Sequence, residues 1–291
     1  MHLSVIEKRS LIIPPLAKLV DLETIRRLAE SLDRDRIERY LGIEVRKIRK
    51  INNVKIYSLP IKGRGLTPNL IYVAFRWCPV YAYFNLCFRS LLATEGILQI
   101  LLRGVLAHDA YSRALKERQK TWIILREVAV DGEIGGTYMN GRVDLIVQVP
   151  DKLKLGKRHV VGIGGRLYII EVKTSTSSRA LQAAAAQAAV YRRLLDLDNA
   201  RLCIVGSSES KIVGTDMKII EEMIRLIAKS REPPYQHAST WFCKYCPYRL
   251  LKICEKENTA AETGREREKT HTATRGRRKR RPTLPARARK S

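Results

Sequence analysis

The sequence predicts a mixed α/β domain in which helices cover the faces of one sheet. Three observations carry this reading. Strand-like apolar stretches recur at TWIILREVAV, MNGRVDLIVQV, RLYIIEVKTS and RLCIVG. An alanine-rich stretch from Arg179 to Asp196 separates the third from the fourth, and Ala is the best helix former. The resulting order, helix, three strands, helix, strand, helix, is that of a sheet with helices packed on it.

The elements follow in order. Residues 1–70 read as an N-terminal extension, helical from Asp21 to Leu41. The alternating basic stretch VRKIRKINNVKIY then predicts a hairpin about Asn52-Asn53. Lys62, Gly63, Arg64 and Gly65 mark a loop. A helical run is expected from Pro79 to Lys120. The next two strands are joined by a glycine-rich turn. A basic loop or hairpin end runs from Asp151 to Arg166, and Met217 to Ser230 is an amphipathic helix. From Thr259 to Ser291 the composition changes: 12 Lys and Arg stand against 3 Glu. With almost no large apolar residue, this segment cannot offset its ordering entropy and reads as a disordered basic tail. RRKRR at 277–281 either holds phosphates non-specifically or is simply solvated. No internal repeat is visible.

The chain carries 55 Lys and Arg against 29 Asp and Glu, a formal net charge of +26. Such a surface attracts polyanions over a long range. Nucleic acid is the first candidate, because neutralising phosphates releases counterions, and an anionic membrane surface is the second. A spanning segment is not expected, since Arg76, Arg89 and Glu95 interrupt the apolar stretch 71–102. Near the N-terminus, Glu7, Lys8 and Arg9 precede a short apolar patch broken by Pro14 and Pro15, too short for a signal-peptide core. These features predict a cytoplasmic protein. Its six cysteines are then better read as metal ligands or core residues than as disulfides.

The chemistry concentrates on Asp144 and on Glu171-Val172-Lys173. Side chains alternate along a strand, so Glu171 and Lys173 share one face while Ile170 and Val172 enter the core. Alone, such a triplet is an ordinary surface salt bridge. Here Asp144, flanked by Val143 and Leu145, supplies a second carboxylate from a neighbouring strand. Two such carboxylates can share a divalent cation, which polarises a phosphodiester and acidifies water. Lys173 would position that water or stabilise the developing charge. Gln187 and Tyr191 are four apart on one helical face, and His108 lies upstream on a helix. An imidazole suits Mn²⁺ better than a pure magnesium site.

Cys243-x-x-Cys246 and Cys254 form a second set, with Cys78 as the fourth candidate and Cys87 its competitor. Cys203 reads as core. Pro79 and Pro247, after Cys78 and Cys246, are expected to set turns. Four cysteines can bind Zn²⁺ or an iron–sulfur cluster, and the spacing does not separate the two.

In this order the groups resemble the PD-(D/E)XK nuclease superfamily, and within it the RecB-like nucleases. Their motif is a helical His, a strand G-x-x-D, a strand E-x-K and a helical Q-x-x-x-Y. Here these read His108, Gly141-Arg142-Val143-Asp144, Glu171-Val172-Lys173 and Gln187-Ala188-Ala189-Val190-Tyr191. The resemblance implies a restriction-endonuclease-like mixed sheet flanked by helices. It implies Mn²⁺ or Mg²⁺ held by His108, Asp144, Glu171 and the backbone carbonyl of Val172. Lys173 would be catalytic, and Gln187 and Tyr191 would shape the cleft and contact DNA. One cysteine before and three after this region is similar to the CRISPR-associated RecB-like exonuclease family. That likeness spans residues 71–258. It implies a cluster, [4Fe-4S] rather than [2Fe-2S], on Cys78, Cys243, Cys246 and Cys254, joining the N- and C-terminal parts. The implied function is an exonuclease trimming single-stranded DNA ends of prespacers alongside the spacer integrase. Two other readings stay open: a RecB-like nuclease of repair or recombination, and a non-catalytic nucleic-acid-binding zinc protein.

Overall fold

The computed structural model describes residues 4–5, 13–61, 65–150, 152–155, 159–162, 165–175 and 177–254. The expected basic tail and residues 62–64 of the expected loop lie outside them. The chain divides into a compact unit, Met1–Leu251, and a second unit, Lys252–Ser291. Among the described residues, no helix is long and apolar enough to cross a membrane.

In chain order, a short strand β1 (Ser4–Val5) precedes two helices, α1 (Leu22–Ser31) and α2 (Arg34–Leu41). Each starts on an aspartate: Asp21 Oδ1 accepts from the Glu23 and Thr24 amides, and Asp33 Oδ1 from Arg36. Such caps satisfy amides that the first turn leaves without partners. The hairpin expected at Asn52-Asn53 is present as β2 (Arg46–Ile51) and β3 (Val54–Pro60). Both asparagines take positive φ, 47° and 64°, as a two-residue hairpin turn requires. Next come α3 (Pro68–Arg76), α4 (Pro79–Cys87), β4 (Ser90–Thr94) and α5 (Glu95–Arg118).

The uninterrupted helical run expected from Pro79 to Lys120 is therefore corrected. Arg89 adopts φ +51°, which no helix continues through, and Ser90–Thr94 instead extends the hairpin by pairing with β3. The side chain of Thr94 then caps α5 through the Ile97 amide.

The remaining elements are β5 (Ile123–Ile134), β6 (Thr137–Gln148), β7 (Lys152–Leu155), β8 (His159–Gly162), β9 (Leu167–Val172), α6 (Ser178–Leu194), β10 (Arg201–Val205), β11 (Ser210–Gly214), α7 (Met217–Ala228), α8 (Thr240–Cys243) and α9 (Pro247–Leu250). Six strands form the main sheet in the order β1-β11-β10-β9-β6-β5. It is mixed: β9 and β10 are parallel, and the other neighbours antiparallel. Helix α6 packs on β5, β9 and β10 and against α3. Its residues Ala183 to Ala186, Ala188 and Ala189 are fully buried. Their small side chains allow close approach to the sheet, and each favours the helix. The α/β class with a mixed sheet flanked by helices is thus observed.

The cysteine cluster is not. Among the described residues, one group of three or more His, Cys, Asp or Glu side chains could hold a metal ion, and it contains no cysteine. Cys78 and Cys246 stand just before α4 and α9 without a side-chain hydrogen bond to the first turn, each followed by a proline in the first helical position. The Cys-Pro pairs thus open helices, where proline's fixed φ fits and its missing N–H costs nothing. The thiols of Cys78 and Cys243 both turn to the backbone of Ser239. Cys78 Sγ accepts from its amide at 3.4 Å, and Cys243 Sγ donates to its carbonyl at 3.3 Å. Cys254 belongs to the second unit. The joining role expected of a cluster falls to aromatic packing. Trp77 stacks on Phe242 at 5.5 Å between centroids, with rings 1° from parallel, and Tyr81 meets Phe242 and Tyr248 edge-on. Tyr248 Oη donates to the buried Asn85 Oδ1 at 2.8 Å.

Candidate metal centre

Strand register assembles the site. Gly135 and Gly136, at φ +58° and +68°, form the two-residue turn between β5 and β6, pairing Ile134 with Thr137. Further along the ladder Arg126 faces Leu145 and Val128 faces Val143, so Glu127 stands opposite Asp144. On the other side of β6, Leu145 faces Ile170. One step on, that register sets Asp144 opposite Glu171. Three carboxylates therefore occupy one row across β5, β6 and β9.

Like charges directly opposite on adjacent strands repel. Helix α5 brings His108 to this row. Its Nδ1 lies 3.1 Å from Glu127 Oε1, and its Nε2 3.8 Å from Asp144 Oδ1. Asp144 Oδ2 accepts from the Val172 amide at 3.0 Å. Arg142 Nη1 reaches Glu127 at 3.4 Å. One ligand atom from each of His108, Glu127 and Asp144 falls within 4.8 Å of the others. Glu127 itself has φ +53°, a left-handed conformation that is strained for a side-chain-bearing residue and is often found at functional sites.

The residues fit a divalent cation. The Nδ1 contact leaves Nε2 as the ligating nitrogen, the arrangement by which a carboxylate orients a metal-bound histidine. That Nε2 is buried and has no hydrogen-bond partner among the described residues, and Glu171 Oε1 is in the same state. Buried polar atoms are generally paired; nine further side-chain atoms among the described residues share this state, but these two belong to the carboxylate row and its histidine. One imidazole with carboxylate oxygens is a donor set suited to Mn²⁺ or Mg²⁺. The iron–sulfur cluster and the cysteine-bound zinc are corrected by this finding: the candidate centre is built on His, Glu and Asp.

Beside it, Lys173 Nζ donates to Glu171 Oε2 at 2.7 Å and lies 4.8 Å from the centre of the Tyr72 ring. Glu171 is fully buried. Burial and then Asp144 push its carboxyl up to about 8, against the opposing pull of Lys173 and His108. Burial disfavours the charged Lys173, yet Glu171 and Asp144 outweigh it and hold the ammonium above the ordinary lysine value. For His108 too, burial disfavours the charge, while Asp144 and Glu127 together raise it above 6.5. The two partners of the Glu171–Lys173 pair thus pull differently. Burial governs the acid, which is completely enclosed and faces a second carboxylate.

Gln187 Nε2 donates to Tyr191 Oη at 3.3 Å on α6, and Gln187 Oε1 is buried without a partner among the described residues. A Cβ at Gly141 would lie 2.8 Å from Pro68 Cδ and 3.2 Å from Tyr191 Cε1. The residue three before Asp144 must therefore lack a side chain for β6 to sit against α3 and α6.

The structure thus brings His108 and Asp144 together and pairs Glu171 with Lys173. It places Val172 beside Asp144 through its amide N–H, and it pairs Gln187 with Tyr191. Sequence reasoning missed Glu127. The signal was available: a Gly-Gly hairpin fixes the register, and counting back from Asp144 lands on Glu127.

No family model matches this chain, and no curated protein does. Among solved structures, one described as the crystal structure of SSO0001 is similar at a TM-score of 0.44 and 16% identity, over 82% of this chain and 97% of that one. A likeness at that level carries no functional argument. The expected membership of the CRISPR-associated RecB-like exonucleases, and of the PD-(D/E)XK superfamily, is accordingly corrected: no family match stands behind it, and the cysteine cluster that distinguished it is missing among the described residues. What the chain does have is a His108, Glu127 and Asp144 cluster with the make-up of a divalent-metal site.

Proposed function

We propose that this protein is a divalent-metal-dependent nuclease that hydrolyses DNA phosphodiester bonds. The carrying observation is the convergence of His108, Glu127 and Asp144 beside a buried, incompletely paired Glu171 and the charged Lys173. His108 Nε2 and Asp144 would hold the cation, with Glu127 orienting the imidazole through Nδ1 or ligating directly. When bound, the cation supplies Lewis-acid polarisation of the phosphodiester. Lys173 is fixed by Glu171 at 2.7 Å and supplies positive charge where the phosphoryl oxygens gain negative charge. A carboxyl near 8 can hold or release a proton around neutral pH, the property a general acid or base needs. The net charge of +26 supports a polyanionic substrate.

End-labelled single-stranded DNA, incubated with Mn²⁺ or with EDTA, tests the proposal. Cleavage should need the cation and fall at least about 100-fold in Asp144→Asn and in Lys173→Met, the scale of losing one electrostatic stabiliser. A circular single strand run in parallel reports whether an end is required. Cleavage that persists in both variants would sink the assignment.

A further inference from the structure

A line of contacts leads away from Lys173 and ends on exposed aromatic rings. Lys173 faces the Tyr72 ring. One turn further along α3, and so on the same helix face, Arg76 donates to the hydroxyls of Ser175 and Ser177. Two residues beyond Ser177, the exposed Arg179 places its guanidinium 5.2 Å from the centre of the Trp241 ring. Trp241 is 40% exposed and Tyr245 52%, and Lys244 sits 4.9 Å from the Tyr245 ring. Behind them Phe242 is buried against Trp77 and Tyr81, so the α8 segment rests on a fixed base.

Trp241 and Tyr245 are two large rings in one short segment, each with a cation against it. Interleaved with cations, they have the composition of a surface that stacks bases and holds phosphates. Arginine planes serve the same purpose. A duplex keeps its bases stacked inside and offers them nothing to bind.

We propose that Trp241 and Tyr245, with Arg76, Arg179 and Lys244, form a stacking platform that binds a single-stranded nucleic acid and leads it toward Lys173. This rests on the nuclease reading for its direction but not for its binding chemistry. The assay is fluorescence anisotropy of the full chain with labelled oligo-dT and oligo-rU in EDTA, where no turnover intervenes. A hairpin duplex of equal length is the control.

Trp241→Ala and Tyr245→Ala should each weaken single-strand binding about tenfold, the effect of one lost base stack. Duplex binding should stay within about twofold, and Trp241→Phe should retain most of the affinity. Tyr245 has a largely exposed ring, so Tyr245→Ala keeps the test open if Trp241→Ala does not fold. Unchanged single-strand affinity in Tyr245→Ala, or equal losses on single strand and duplex, would overturn the platform. Hydrolysis of bis-p-nitrophenyl phosphate with Mn²⁺, measured on the same variants, separates the two ideas. Its absence in the wild type counts against the nuclease reading, whereas its persistence alongside unchanged oligonucleotide binding counts against the platform alone.

Discussion

Replacing Gly141 by alanine tests how the site is held. Gly141 lies in β6, where alanine would ordinarily help, since glycine in an element interior costs roughly 0.5–1 kcal/mol relative to alanine. The new methyl, however, would sit 2.8 Å from Pro68 Cδ and 3.2 Å from Tyr191 Cε1. The first distance is one that real Cβ atoms essentially never show, and Pro68 is a buried ring at the start of α3 that cannot rotate away. Tyr191 is nearly as confined, being buried with its hydroxyl on Gln187. Overpacking of this kind costs about 1–3 kcal/mol. It exceeds the propensity gain, so the expected net is a loss of about 1–2 kcal/mol. Urea unfolding with EDTA present measures it, with an unchanged slope marking a change in stability alone. Relief of the clash would move β6 relative to α3, and with it Asp144, so Mn²⁺ binding should weaken as well. A variant as stable as the wild type would refute the packing argument. One that loses stability but binds Mn²⁺ normally would detach Gly141 from the site.

The other predictions concern the cation and its protons. Glu127→Gln should weaken Mn²⁺ binding roughly 10–100-fold, whether Glu127 ligates or orients His108, and electron paramagnetic resonance of free Mn²⁺ reads this directly. Mn²⁺ binding should strengthen as pH rises from 6 to 8, because His108 is raised above 6.5 and Glu171 to about 8, and both must lose protons to face a cation. For the metal-free protein the sign is opposite. A raised folded-state pKa means that the folded state binds more protons, so the contribution of both groups is fully present at low pH and is lost as pH rises, for Glu171 through about 8. Glu171→Gln should flatten that decline in pH-dependent urea unfolding, and a wild type and variant that decline in parallel would contradict the shift.

Much of this was legible in the sequence because turn chemistry, helix propensity and strand alternation are local. The Asn52-Asn53 turn, the alanine-rich α6 and the strands bearing Asp144 and Glu171 all follow from composition and alternation. The helical run from Pro79 failed because β4 is specified by its partner β3, not by its own residues. The cysteines failed for a related reason. Cys-x-x-Cys spacing reports nearness along the chain, whereas a metal centre needs sulfurs converging on one point. Cys78 and Cys243 instead converge on the Ser239 backbone, and Cys78 and Cys246 open helices through the prolines that follow them.

Glu127 shows the converse. By composition it is one more charged residue on an edge strand, flanked by Arg126 and exposed enough to look solvated. What distinguishes it is register, inherited from a Gly-Gly turn eight residues away. The turn sets Glu127 opposite Asp144, Asp144 lies opposite Glu171, and α5 brings in His108. No one of these elements reads as a metal site. The carboxylates they bring together repel one another without a cation, burial and then Asp144 raise the Glu171 carboxyl, and the buried Nε2 of His108 has no hydrogen-bond partner among the described residues. The raised carboxyl of Glu171 and the buried Nε2 of His108 meet beside the same row of carboxylates, and a cation bound there would offset the accumulated charge and give that Nε2 a partner, which motif spacing alone does not reveal.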